Sequence, residues 1–189
     1  MKRLLSTKKL SIAQRDLILG AGISVVAYDA VRPYVLDFEL PAQLENVLFT
    51  SQNAVNSVLK KHATLRDIGN IFCVGKKTTD LCREFDGNVR FEANNAQQLA
   101  DFLVKNFKNE DFIYFCSARR RDELPDRLKT EKMCLFEVKS YDIKLDFTVF
   151  DQKWDGILFF SPSGLEAYFK HNDPGKAGML FCIGPTTAN

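Results

Sequence analysis

A chain of 189 residues, 46% hydrophobic and 26% charged, can build one medium domain or two small ones with real cores, and this composition excludes global disorder. A net charge of +2 is too small for a protein that holds nucleic acid mainly by neutralising phosphates. No apolar run approaches the ~20 residues of a bilayer span, and only Leu4-Leu5 follows the basic Met1-Lys2-Arg3 start, so no secretory signal or membrane association is read and the cytoplasm is the expected compartment.

In chain order, Lys2–Thr7 predicts a first strand. Ser11-Ile12-Ala13-Gln14 has the S-x-x-Q form of a capping box, and Gly20 and Gly22 mark the end of the helix that follows. Ile23–Tyr28 is a short apolar strand. Val31–Phe38 is interrupted by Pro33 and reads as an edge strand or connector.

A unit then appears that occurs twice. Asn46–Val55 (NVLFTSQNAV) is a strand, a hydroxyl-bearing turn and a helix start, and Gly156–Leu165 (GILFFSPSGL) repeats it 110 positions later. Ile71–Thr79 (IFCVGKKTT) is matched in the same way by Leu180–Ala188 (LFCIGPTTA), with Gly75 and Gly184 109 positions apart. Two units in the same order at nearly one offset imply two related α/β lobes of parallel-sheet, flavodoxin-like type. Between the copies, Val89–Glu92, Asn95–Phe107, Phe112–Cys116, Asp122–Lys129 and Cys134–Tyr141 alternate strand and helix, with Asn94 or Asn95 as a helix cap.

The expected organisation is a discontinuous first domain of residues 1–28 plus 153–189, connecting strands over 29–42 and 138–152, and a second α/β domain over 43–137. Both connectors contain Leu-Asp-Phe, at 36–38 and 145–147, and are expected to pair as an antiparallel two-stranded ladder. The second copy of the repeat stops at a helix start, so the discontinuous domain reads as incomplete at its C-terminal side.

Four strand-to-helix turns carry the candidate chemistry: Thr50-Ser51, Lys76-Lys77-Thr78-Thr79, Ser161-Pro162-Ser163 and Gly184-Pro185-Thr186-Thr187. In parallel sheets ligands bind outside the strands' carboxyl ends, where helix N-termini offer free N–H groups to anions. Helix capping alone accounts for any one such turn. Four turns at matched places point instead to a cleft that reads several anionic groups with neutral donors. Gly75 and Gly184 fit tight turns. Arg119-Arg120-Arg121 follows a strand end and is either a carboxylate clamp or a solvated loop beside Asp122 and Glu123; Lys76 and Lys77 leave the same two readings open.

The five cysteines, Cys73, Cys82, Cys116, Cys134 and Cys182, include no C-x-x-C and are odd in number, which argues against a disulfide framework and a zinc site; Cys73 and Cys182 read as buried thiols. His62 and His171 fall near helix ends and suggest no metal or catalytic role. No G-x-S-x-G, phosphate loop or G-x-G-x-x-G is present. No metal or other cofactor is implied.

With Leu48-Phe49-Thr50-Ser51-x-x-Ala54-Val55, Val74-Gly75-x-x-Thr78, Phe159-Phe160-Ser161-Pro162-Ser163-Gly164 and Ile183-Gly184-Pro185-Thr186-Thr187-Ala188 in this order, the chain resembles the uroporphyrinogen-III synthase family over nearly its whole length. The resemblance implies two α/β lobes, the first discontinuous, joined by a two-stranded ladder. It implies a substrate, hydroxymethylbilane, with eight carboxylates, which loses its hydroxyl as water and closes through a spiro intermediate with inversion of the last ring. It further implies that the enzyme works as a cytoplasmic monomer without cofactor. Tyr141 matches the place of the family's favoured proton donor, and Thr78, Ser161, Thr186 and Thr187 match its cleft turns. Gln52-Asn53 departs from the proline or arginine common in relatives. The alternative readings are a non-catalytic two-lobed module that binds a polyanionic small molecule, and an inactive fragment.

Overall fold

The structure, a computed structural model, describes residues 1–188. The chain divides into two units, residues 1–32 with 143 onward, and residues 33–142. In chain order the elements are β1 (Arg3–Ser6), α1 (Ile12–Gly20), β2 (Ser24–Ala27), β3 (Val31–Val35), β4 (Asn46–Phe49), α2 (Gln52–Leu59), β5 (Asn70–Val74), α3 (Lys76–Glu84) and β6 (Val89–Ala93), followed by α4 (Ala96–Asn106), β7 (Asp111–Ser117), α5 (Glu123–Thr130), β8 (Cys134–Leu145), β9 (Trp154–Phe159), α6 (Pro162–Phe169), β10 (Ala177–Cys182) and α7 (Pro185–Ala188).

The unit of residues 33–142 is a three-layer α/β domain. Its parallel strands run in the order β8-β7-β4-β5-β6. Numbered in chain order from β4 and read from the β6 edge, this is 3-2-1-4-5, a doubly wound layering whose direction of winding reverses between β4 and β7. Strand side chains alternate between the two faces. Val47, Phe49, Ile71, Cys73 and Phe115 pack under α2 and α3, while Leu48, Phe72, Phe112, Tyr114 and Cys116 pack under α4 and α5. Much of the phenylalanine load fills these layers, with Phe49 stacked on Phe115 at 5.7 Å and Phe72 edge-on to Phe112 at 5.7 Å. Helix α4 begins at Asn95, whose side chain accepts from Gln98 N, and buries Leu99, Ala100 and Leu103.

The other unit holds a four-stranded parallel sheet in the order β10-β9-β1-β2. The repeat makes this order intelligible. If β9 and β10 correspond to β4 and β5, then β1 and β2 stand where β7 and β8 stand, so the second sheet is a permuted version of the first. Its core is Leu5, Trp154, Ile157, Phe159 and Tyr168. The capping box of α1 forms as read: Ser11 accepts from Gln14 N at 3.3 Å, and Gln14 accepts from Ser11 N at 3.0 Å. The helix itself buries no residue.

Strands β3 and β8 are neighbours. Leu36 N donates to Ser140 O at 3.1 Å and Asp146 N to Ala30 O at 2.9 Å, so the partners ascend one strand as they descend the other, the antiparallel sense. Pro33 is tolerated because β3 is the sheet's outer strand. Cys73 is fully buried, but Cys182 is only half-buried, because β10 is an edge strand.

Asn172, 5% exposed, ties the segment after β8 to the end of α6. Its Oδ1 accepts from Phe150 N at 2.8 Å, and its Nδ2 donates to Thr148 O and Tyr168 O, both at 2.9 Å. Asn172→Ala strands buried backbone groups and is expected to cost about 2–3 kcal/mol. The cost should appear as a lower urea midpoint at unchanged slope.

Candidate functional site

Parallel pairing puts all strand carboxyl ends of a sheet on one edge. In residues 33–142 that edge carries Thr50 and Ser51 after β4, Gly75, Lys76 and Lys77 after β5, Ser117 and Arg119 at the end of β7, and Tyr141 opposite Ser117 on β8. At the reversal point between β4 and β7, Thr50 Oγ1 and Tyr114 Oη are 2.9 Å apart. In the other unit the edge carries Thr7 after β1, Ser161 and Ser163 after β9, and Gly184, Thr186 and Thr187 after β10. Its reversal point lies between β1 and β9, where Thr7 Oγ1 donates to Leu158 O at 2.9 Å.

The duplicated turns repeat in geometry as well as in sequence. Ser51 and Ser161 are extended N-caps; Ser51 accepts from Asn53 N and Ser161 from Gly164 N, both at 3.1 Å. Thr78 N and Thr187 N each donate to the preceding glycine carbonyl, Gly75 O and Gly184 O, at 3.0 Å. Both threonines are buried, 5% and 6% exposed, whereas Thr186 is exposed. The glycines differ. Gly75 caps α3 at φ +85°, a conformation that glycine alone adopts freely, while Gly184 has no positive φ and open space around it, so no tight turn demands glycine there.

Glycine at the cap leaves α3 with no side-chain cap, and its first turn holds Lys76 and Lys77 but no carboxylate. Cations at a helix N-terminus oppose the helix dipole. Asp80, 3.2 Å from Lys76, offsets one of them. An anion bound here would satisfy the free N–H groups and both ammonium groups. Gln52 ties this turn to the neighbouring one by donating to Lys77 O at 3.2 Å.

The arginine run separates into distinct roles. Arg120 is held by Glu137 through two bonds and by Asp122, which keeps its guanidinium firmly charged and occupied. Arg119 lies 3.4 Å from Asp142 and is largely exposed. Arg121 makes no ion pair among the described residues.

Tyr141 is half-buried beside the Ser51 hydroxyl. Burial pushes its phenol above the usual tyrosine range, and the bond to Ser51 opposes that shift. It lines a cavity of about 410 Å³ with Tyr34, Asn53, Asn56, Lys60 and Phe85. Tyr114 is pushed up to about 12, mainly by burial. Among the described residues no group of three His, Cys, Asp or Glu side chains could hold a metal, and no helix is long and apolar enough to cross a membrane.

A family model for uroporphyrinogen-III synthase HemD matches residues 23–189. The chain belongs to the uroporphyrinogen-III synthase family. Members of this family are cyclising lyases of tetrapyrrole synthesis that act on hydroxymethylbilane, and the chain carries that function in haem biosynthesis. Among solved structures, the uroporphyrinogen-III synthetase of Helicobacter pylori superposes with a TM-score of 0.74 at 18% identity, covering 100% of this chain and 86% of that one. A mutant uroporphyrinogen III synthase from the extremely thermophilic bacterium Thermus thermophilus gives 0.67 at 11% identity, covering 100% and 87%. At such identities the likeness is one of fold. No curated protein matches by sequence comparison.

For a synthase of this family, two residues at the carboxyl edges were not singled out from sequence: Thr7 and Tyr114. Thr7 ends a strand with a hydroxyl, the same signal that marked Thr50, and was readable. Tyr114 lies inside an apolar strand and shows itself only through Thr50, 64 positions away.

Burial raises the phenols of Tyr28, Tyr114, Tyr141 and Tyr168 above their unfolded value. A group that binds its proton more tightly when folded contributes full stability below an unfolded pKa of ~10 and loses it as pH rises through the folded value. Urea stability should therefore decline from about pH 10, with Tyr114 alone accounting for about 2–3 kcal/mol by pH 12. Phenolate absorbance should rise with the loss, and Tyr114→Phe should reduce it.

Proposed function

We propose that Tyr141 is the proton donor of the cyclising dehydration of hydroxymethylbilane to uroporphyrinogen III, and that the hydroxyl-bearing turns hold the substrate's carboxylates. The observation that carries this reading is the place of Tyr141: at a carboxyl edge, beside Ser51, on the wall of a cavity. Its phenol remains protonated at neutral pH and can pass a proton to the departing hydroxyl, so that the carbon–oxygen bond breaks and water leaves. Ser51 Oγ already accepts from Asn53 N, which leaves its O–H to donate to the phenolate that remains.

The carbocation then attacks the far end of the tetrapyrrole, and the last ring inverts as the macrocycle closes. Spontaneous closure gives the other isomer, so much of the catalytic task is holding one substrate shape. In this reading Thr50, Ser51, Lys76, Lys77, Thr78 and Arg119 serve one group of carboxylates, and Ser161, Ser163, Gly184, Thr186 and Thr187 another. The buried Thr78 and Thr187 act through backbone and turn shape, the exposed Lys76, Lys77 and Thr186 through direct donation. The protein works in the cytoplasm as a monomer without a nucleic-acid partner, in keeping with its near-neutral charge.

Tyr141→Phe is expected to lower kcat about 10²-fold or more with KM and thermal stability nearly unchanged. Isomer analysis of the oxidised product, from enzymatically generated hydroxymethylbilane, checks this. Unaltered turnover in the variant would remove Tyr141 from the reaction, and isomer I alone from the parent protein would reject the reading as a whole.

A further inference from the structure

The cavity beside Tyr141 has a feature that the proton-donor role does not use. Its polar wall comes from one face of α2: Asn53, Asn56 and Lys60 are spaced i, i+3 and i+7. Leu59 of the same helix, with Phe85 and Val35, gives apolar surface. Among the described residues no carboxylate lines this cavity, and Lys60 is the one charged residue in its wall. Among the same residues Lys60 makes no ion pair, whereas its neighbour Lys61 is held 3.2 Å from Asp37 and also lies over the Phe38 ring. The side-chain amides of Asn53 and Asn56 form no hydrogen bond among the described residues. A second cavity in the same unit has the opposite character, with Glu45, Asp111 and Glu137 in its wall.

We infer that the groove along α2 is a subsite for one carboxylate-bearing pyrrole of the substrate, with Lys60 and the amides of Asn53 and Asn56 taking the acid arm and Leu59 and Phe85 flanking the ring. This deepens the functional reading above and rests on it for the identity of the ligand. A volume of about 410 Å³ falls within the range of small-molecule sites. Tyr141 stands in the same wall, so a pyrrole seated here lies beside the proton donor. Lys60 is the C-cap residue of α2, where the helix dipole is negative. Without the Lys60 ammonium group an incoming carboxylate would meet two neutral amides and the negative end of the helix.

The test is equilibrium binding of uroporphyrin III, the stable eight-carboxylate porphyrin, followed by porphyrin fluorescence. The full chain is compared with Lys60→Met, Lys60→Glu and, as a control outside the groove, Lys61→Met. The dissociation constant should rise roughly fivefold for Lys60→Met and further for Lys60→Glu, and should stay unchanged for Lys61→Met. With hydroxymethylbilane, Lys60→Met should raise KM with kcat nearly constant, the reverse of Tyr141→Phe. Binding of uroporphyrin III by Lys60→Glu at the parent affinity, or no binding by the parent protein, overturns the subsite. If isomer III still forms in that case, the catalytic reading survives. If the parent makes no isomer III but Lys60→Met still weakens binding, the catalytic reading fails and the anion subsite stands.

Discussion

The site rests on a constraint of backbone pairing. Apart from the β3–β8 ladder, the strand pairs run parallel, and parallel strands require a crossover that returns the chain to the same starting edge. Helices that begin at a strand's carboxyl end therefore begin on one edge of their own sheet. The unsatisfied N–H groups of their first turns gather there with a shared positive field, whatever side chains are present. Sequence then decorates an edge that topology has already polarised. Ser51 and Ser161 stand where hydroxyls can both cap a helix and donate outward.

If the proposed site holds the substrate, this arrangement lets a protein with a net charge of only +2 receive a polyanion. Much of the attraction comes from dipoles fixed in the backbone. The 26 Lys and Arg residues are nearly balanced by 24 Asp and Glu, and those near the edge differ in how they are held. Arg120 is committed to Glu137 and Asp122 and shapes the loop after β7, while Lys76 and Lys77 occupy a helix start at which cations are disfavoured until an anion arrives. On the reading proposed above, preorganised neutral donors would hold a flexible polyanion in one shape.

Local chemistry made much of the fold legible in the sequence. The capping box at Ser11, a cap at Asn94 or Asn95 and the strand-plus-hydroxyl turns at Ser51 and Ser161 depend on residues within a few positions of each other, and the structure forms each, with Asn95 as the cap. What escaped was non-local or degenerate. Three consecutive arginines look alike until β8 brings Glu137 against one of them. Gly75 and Gly184 are equivalent in sequence, but only the first needs a positive φ. Thr78 and Thr187 read as candidate donors of the cleft turns, and nothing local reveals that they are buried. The Asn172 clamp and the Thr50–Tyr114 pair join segments 22 and 64 positions apart and have no signature in either segment alone.

The interrupted unit sets an order of assembly. Strand β1 lies between β2 and β9, with Leu5 opposite Ile157, so the first strand made must wait for one of the last. On the ribosome, residues 33–142 emerge before β9 does, free to fold as an insertion. Once they fold, the bond from Leu36 to Ser140 joins the two ends of the insertion. The effective loop that β1 must close shrinks from about 150 residues to a few tens, and its entropic cost falls with it. The insertion thus shortens the closure that its flanking segments must make, and until they pair, β1 is a vulnerable edge in the nascent chain.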